Sequence, residues 1–314
     1  MFSVEIKSER DEDVCLLINV QNHSYNYICD CGEAKALSAK ECRNTKAIFL
    51  SHTHIDHFIN FDKLLRHQIG TEKKVTICGP AGITDQIQHR IKSYCWNLIE
   101  AGAVTYEIRE IKDTSTYSIT NLNPPLWEKE EVAVCEQESI FTEKDFSVEF
   151  EILDHKTSSI AYLFRAEDKL KINLKDGFKG GKWISELKNA YILNDENKVI
   201  QIEEKEYLAK DLFPMVSIIQ GKRLGVIMDH AASHDNHIKI KNKFTHCDDV
   251  YIECFYKNED KELAVKNYHS YAAMSGSIMK ECNVKNAIPV HYSRKYDATE
   301  LDELITQFDK AYKL

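Results

Sequence analysis

One segment limits what this chain can become. SHTHIDHF at 51–58 sets His52, His54, Asp56 and His57 side by side, directly after the apolar run KAIFL at 46–50. Imidazole suits zinc and related borderline cations, and a carboxylate among imidazoles lets a second ion sit near the first. A polar turn capping the next helix through Asp56 would need one carboxylate and none of the histidines. The segment therefore predicts a metal-binding loop at the end of a buried strand, to which the rest of the fold must bring further donors.

The surrounding pattern is mixed. Alternation of Phe2, Val4 and Ile6, followed by VCLLINV (14–20) and SYNYIC (24–29), predicts an opening strand meander. NFDKLLRHQIG (60–70) and residues 82–94 after Gly79-Pro80 have helical spacing, and strands return at VTYEIREI (104–111), FSVEFEIL (146–153) and IAYLFR (160–165). Asn123-Pro124-Pro125 holds the only proline pair, and the expectation is that it divides two similar halves. EKEE (128–131) and EEKE (203–206) read as solvated faces or turns. The expectation is a single α/β domain over 1–314, long enough to enclose a buried polar site.

Composition narrows the function classes. No uninterrupted apolar stretch approaches the roughly 18 residues of a membrane span. MFSVEIKSERDEDV, charged from its fifth residue and mostly acidic after Glu9, resembles neither a secretory nor a transit segment. The expected location is the cytoplasm, with the ten cysteines reduced and Cys29 and Cys31 as core thiols. A net charge of −9 provides no broad positive field, so any nucleic acid must be gripped locally.

His-x-His-x-Asp-His after a strand resembles the metallo-β-lactamase superfamily, and single donors follow at later strand ends: His155 after EILD, Asp229 after RLGVIM and His291 after NAIPV. The resemblance implies an αββα sandwich, two mixed sheets packed face to face with helices outside. It also implies two Zn2+ ions, with Mn2+ or Fe2+ as alternatives. His52, His54 and His155 would hold one ion, Asp56, His57 and His291 the other, and Asp229 would bridge them.

Flanking motifs are similar to the ribonuclease Z branch, which matures transfer RNA 3′ ends. LDHKTSSIAYLF (153–164) carries Tyr162 seven residues after His155, VYIECFY (250–256) offers Glu253, HSYAAMSGSIM (269–279) opens with His269, and VHYSRKY (290–296) closes with Ser293 and Arg294. Phosphodiester cleavage needs an activated water, charge neutralisation on the phosphoryl oxygens and a proton for the leaving oxygen. The resemblance assigns the catalytic set to Asp56, Glu253 and His269, with His269 as proton donor and Glu253 holding its imidazolium form. It further implies an RNA substrate, a transfer RNA precursor, and a homodimer.

The sequence also departs from that family. Its Gly-rich opening loop and the Gly-Asp-Thr around its bridging carboxylate are both missing. Asp229 sits instead in IMDHAASHDNH, whose His230, His234 and His237 are expected outside the metal shell in a solvated or substrate-facing loop. The family's Gly-Pro-rich arm is replaced by a stretch, 165–190, that is expected to form a short substrate-contacting arm. Residues 165–188 hold seven basic side chains against four acidic ones, a balance of +3, with Lys179 and Lys182 as phosphate contacts alongside Ser293 and Arg294. A plain lysine-rich surface loop is the alternative there. Small nucleotide diesters, a lactam or lactone hydrolysed on the same fold, and a non-catalytic metal-stabilised binding protein remain as alternative functions.

Overall fold

The computed structural model describes residues 1–174 and 177–313; Lys175 and Asp176, counted in the basic stretch, lie outside them. The first sheet runs in simple sequence order: β1 (Phe2–Ile6), β2 (Leu16–Val20), β3 (Asn26–Cys29), β4 (Thr45–Phe49), β5 (Lys74–Gly79), β6 (Thr105–Ile111), β7 (Thr116–Leu122) and β8 (Lys129–Glu136). Pairings from β3 to β6 are parallel and the flanking ones antiparallel. β9 (Ser139–Thr142), β10 (Phe146–Asp154) and β11 (Ser158–Ala166) begin the second sheet. An insertion carries β12 (Lys169–Ile172), β13 (Val199–Ile202), β14 (Lys205–Leu208) and β15 (Val216–Ile219). The second sheet then closes with β16 (Arg223–Ile227), β17 (Asp249–Glu253) and β18 (Asn286–Val290), in the order β18-β17-β16-β11-β10-β9.

Three apolar layers follow from strand alternation, since successive side chains point to opposite faces. On β4, Ala47 and Phe49 enter the core between the sheets, while Ile48 and the following Leu50 enter a second core under Phe61, Leu64 and Leu65 of one helix and Ile83, Ile87 and Ile91 of another. On β11, Ile160, Tyr162 and Phe164 face the inter-sheet core, and Ala161 and Leu163 face a third with Ile240, Phe244, Leu304 and Phe308. Strands covered on both faces read as continuous apolar runs, which is why KAIFL and VCLLINV show no alternation. The layering is the helix–sheet–sheet–helix sandwich expected from the sequence.

One expectation about boundaries needs correction. Asn123-Pro124-Pro125 does not divide the halves: it lies in the connection between β7 and β8, which pair antiparallel, and the first sheet ends only after β8. EKEE is the solvated face expected of it: it falls mostly on β8, an exposed edge strand, where charge discourages further strand pairing. The ten cysteines are free, with Cys29 and Cys31 buried.

Residues Ala166–Gly221 form a separate compact unit, with its own core of Trp183, Leu187, Ile200, Leu212 and Met215. β12 pairs with β15 and β13 with β14, both antiparallel, beside the helix Trp183–Ile192. The stretch 165–190 lies almost wholly within this unit, which continues to Gly221. Among the described residues no helix is long and apolar enough to cross a membrane.

Candidate metal centre

Strand ends from both sheets converge. His52, His54, Asp56 and His57 follow β4, His155 follows β10, Asp229 follows β16, Glu253 ends β17 and His291 follows β18. The donor atoms of His52, His54, His155 and Asp229 lie within 4.8 Å of one another, as do those of Asp56, His57 and His291. Asp229 joins the groups: its Oδ2 is 3.3 Å from His155 Nε2, 3.4 Å from His57 Nε2 and 3.7 Å from His52 Nε2, and its Oδ1 is 3.1 Å from His291 Nδ1. Asp56 Oδ2 lies 3.5 Å from His291 Nε2 and 3.6 Å from His57 Nε2.

A second set of contacts fixes which nitrogen of each ring is free. His57 Nδ1 donates to Asp30 Oδ2 (2.8 Å) and His155 Nδ1 donates to the Tyr268 carbonyl (2.6 Å). Ser51 Oγ donates to Asp30 Oδ2 (2.7 Å), so at 3.0 Å it accepts from His52 Nδ1. In His52 and His155 the proton sits on Nδ1, leaving the Nε2 lone pair pointed into the site; His57, whose pKa burial lowers but Asp229 and Asp30 raise well above the usual imidazole value, turns the same nitrogen inward. Burial and the neighbouring His57 press the His52 pKa down to about 2, so that imidazole is neutral and able to bind a cation. Burial alone would raise the Asp229 pKa, but His291 and His57 hold it well below the usual carboxylate range.

Four of these atoms, His52 Nε2, His57 Nε2, Asp229 Oδ1 and His291 Nδ1, are buried without a hydrogen-bond partner. Orphaned buried polar atoms are rare and costly, so four converging on one place fit a site built for cations. The donor set, imidazole nitrogen with carboxylate oxygen, suits divalent transition metals.

The local backbone is held in unusual conformations to achieve this. His291, Tyr268 and Asp30 have φ of +56°, +59° and +53°, a region that side chains other than glycine adopt at a cost. Gly32 is required by space: a Cβ there would lie 2.5 Å from both the Asp13 Cβ and the Asp56 carbonyl oxygen. Tyr162 donates to the Leu50 carbonyl (2.7 Å) and the Ile160 N–H to that of Ser51 (2.8 Å), tying the His52 loop to the second sheet.

Beside the metal donors, His269 Nδ1 lies 2.5 Å from Glu253 Oε1, and its ring stacks on Phe255 at 3.8 Å and 4°. Burial lowers and the Glu253 carboxylate raises the His269 pKa, with a net upward shift. Burial raises the Glu253 pKa while His269 lowers it, and the carboxylate ends at about 2. The two form a charged pair whose remaining imidazole nitrogen, Nε2, is available to a substrate.

Of the remaining sequence candidates, Ser293 is buried, donating its N–H to the Phe255 carbonyl at 3.1 Å. Arg294 is exposed and ion-paired to Asp13. They line a cleft of about 610 Å³ with Asp13, Asp56, Phe255 and His291. Lys179 and Lys182 belong to the Ala166–Gly221 unit, where both are exposed. Two of the three histidines after Asp229 in IMDHAASHDNH correct the expectation of a solvated loop. His230 is fully buried and His237 half-buried, because Ser233 caps the helix His234–Phe244 and packs it onto the sheet, leaving only His234 exposed. Asp30, Ser51, Tyr268 and Phe255 escaped the sequence reading. Asp30 and Ser51 sit at a strand end and beside the histidine cluster, the one signal that pointed to them.

No protein-family model matches the chain. Ribonuclease Z of Listeria monocytogenes is 24% identical over 298 residues, covering 91% of this chain and 84% of the relative. Ribonuclease Z of Methanocaldococcus jannaschii is 26% identical over 302 residues, covering 92% and 84%. Among solved structures, the metallo-β-lactamase fold protein YhfI of Bacillus subtilis superposes with a TM-score of 0.58 at 13% identity over 99% of this chain and 92% of its own. The short form of human tRNase Z gives 0.57 at 14% identity over 94% and 91%. These likenesses identify the fold as that of the metallo-β-lactamases.

Proposed function

We propose, for a chain with the metallo-β-lactamase fold that is ribonuclease Z-like over nine tenths of its length, that it is a metal-dependent phosphodiesterase cleaving RNA endonucleolytically, with a 3′-extended transfer RNA as substrate. The observation that carries this reading is the charged His269–Glu253 pair set beside the seven metal donors. Expelling a ribose oxygen calls for a proton donor so placed.

In this reading His52, His54 and His155 would hold one ion and Asp56, His57 and His291 another, with Asp229 available to both, and the ions would be zinc, with Mn2+ or Fe2+ as alternatives. When bound, such ions neutralise phosphoryl oxygens and lower the pKa of water. The protein's part is orientation and proton supply. Asp30, Ser51 and the Tyr268 carbonyl hold three imidazoles with Nε2 inward. Asp56, half-exposed at the cleft, stays in both the ligand and the catalytic sets. His269, charged through Glu253 and fixed in plane by Phe255, gives its Nε2 proton to the leaving oxygen. Lys179 and Lys182 are read as phosphate contacts, with Ser293 and Arg294 at the cleft. The 165–190 arm, the homodimer and the cytoplasmic location remain part of this reading.

A second reading keeps the metals and replaces RNA with a small nucleotide diester. It is favoured by the acidic cleft, where Glu12, Asp13 and Asp56 outnumber Arg294 and Lys295. One panel decides between them: a 3′-extended transfer RNA, unstructured RNA, cyclic nucleotides and a lactam, with metal content measured alongside. Cleavage of the transfer RNA supports the first reading, and turnover of the cyclic nucleotides alone supports the second.

A further inference from the structure

Behind His269 lies an imidazole that the reaction above does not use. His230 is fully buried, and its main-chain N–H donates to Glu253 Oε2 at 2.9 Å. Its Nδ1 is 2.9 Å from the Met228 carbonyl oxygen and 3.1 Å from the same Oε2. A carbonyl and a carboxylate can only accept, so Nδ1 carries the proton; its hydrogen bond runs to the Met228 carbonyl, with Oε2 in ion-pair range of the same nitrogen. The other carboxylate oxygen, Oε1, faces His269 Nδ1 at 2.5 Å and the Ser270 N–H at 3.4 Å. The Glu253 main chain is fixed as well, by the Ser275 hydroxyl donating to its carbonyl at 2.7 Å.

We propose that His230 is a positioning residue, whose imidazole anchors Oε2 of Glu253 so that Oε1 stays aimed at His269. Three features favour this. The terminal torsion of a glutamate side chain is soft and roughly two-fold, so a lone main-chain N–H on Oε2 leaves the carboxylate freer to turn than a main-chain N–H and an imidazole together. Stacking on Phe255 fixes the plane of the His269 ring but not its rotation within that plane, which leaves Glu253 to set where Nε2 points. Finally, any residue at 230 would supply the main-chain N–H, but only a side-chain donor at the Nδ1 position adds the second grip on Oε2. His230 reaches the substrate only through Glu253 and His269.

This inference rests on the phosphodiesterase reading, and its test separates the two. An Asn at 230 places an amide N–H where Nδ1–H lies, while Gln places it nearer Nε2, so His230→Asn and His230→Gln form a matched pair beside His230→Ala. Turnover is compared on a 3′-extended transfer RNA, which has a poor leaving oxygen, and on bis(p-nitrophenyl) phosphate, which has a good one. His230→Ala and His230→Gln lower the ratio of the two rates by roughly 10-fold, His230→Asn recovers most of it, and His230→Ala adds nothing in a His269→Ala background. A readout independent of turnover is the downfield proton resonance of His269 Nδ1–H, assigned by its loss in His269→Ala. It shifts or disappears in His230→Ala and returns in His230→Asn. Equal losses on both substrates, additivity with His269→Ala, failure of Asn to differ from Gln, or an unmoved resonance overturns the role of His230. Wild-type protein that cleaves neither diester overturns the phosphodiesterase reading alone, and the resonance still decides the role of His230.

Discussion

Asp30 Oδ2 lies 2.8 Å from His57 Nδ1, on the far side of the ring from the Nε2 that faces Asp229. A carboxylate behind a ligating imidazole fixes its tautomer and raises its basicity. Replacing Asp30 by Asn keeps the left-handed backbone, which Asn tolerates, and removes the charge. The expected outcome for Asp30→Asn is metal affinity lower by about 10- to 100-fold with the fold intact, read by competition with a chromophoric chelator. Unchanged affinity would contradict the orienting role.

Two incomplete donor groups sharing Asp229 predict two ions per chain. Elemental analysis of freshly purified protein should approach that ratio, and His54→Ala, which removes an exposed donor from one group, should lose one ion first. Because ligands that bind only the folded state stabilise it, by about 2.7 kcal/mol at 100 times the dissociation constant, chelation should lower the melting temperature. Protein that melts identically with and without chelator would remove the metal centre from the account.

For His269 the sign of the pH effect follows from its partner. Glu253 raises the imidazole pKa, so the proton-donating form persists to higher pH and is lost as pH rises through that value. Glu253→Gln should shift the alkaline limb of transfer RNA cleavage down by about one pH unit. His269→Ala should slow that substrate by about 100-fold or more, with a much smaller loss on an activated aryl diester and no loss of metal. Equal losses on both would argue for a structural histidine.

Salt separates RNA from small substrates. Each phosphate contact contributes roughly 0.7 to the slope of log affinity against log salt on a single strand. Lys179→Ala and Lys182→Ala should each weaken transfer RNA binding and flatten that slope by about this amount, as measured by filter binding across salt concentrations. A slope unmoved by either change would return the segment to a plain surface loop.

The candidate metal donors were legible because they cluster in the loop after β4 or stand within two residues of a later strand end, where an apolar run gives way to a histidine or aspartate. His155, Asp229 and His291 needed the family resemblance, since single polar residues after strands are common. What could not be read was contact across the fold. Asp30 lies 27 positions from His57 and Tyr268 lies 113 from His155, and apart from Asp30's place at the end of a strand nothing in their local pattern marks them. The Pro124-Pro125 pair misled for the related reason that prolines mark a turn without saying whether the sheet continues beyond it. His230 was misjudged because three polar imidazoles in one segment suggest solvent, whereas the capped helix after it turns that segment inward.

The double-faced burial of β4 has a bearing on folding fidelity. Its partners are fixed by Cys29 opposite Phe49 on one side and Cys78 opposite Phe49 on the other. A slip of one residue would exchange the two faces of the strand, sending Phe49 toward the helices and Ile48 between the sheets, and would turn His52 away from Asp229. Apolar side chains of similar size tolerate such an exchange better than a cation site does. A cation held there would therefore act as a gauge of strand register, rewarding the one alignment in which His52 and Asp229 meet.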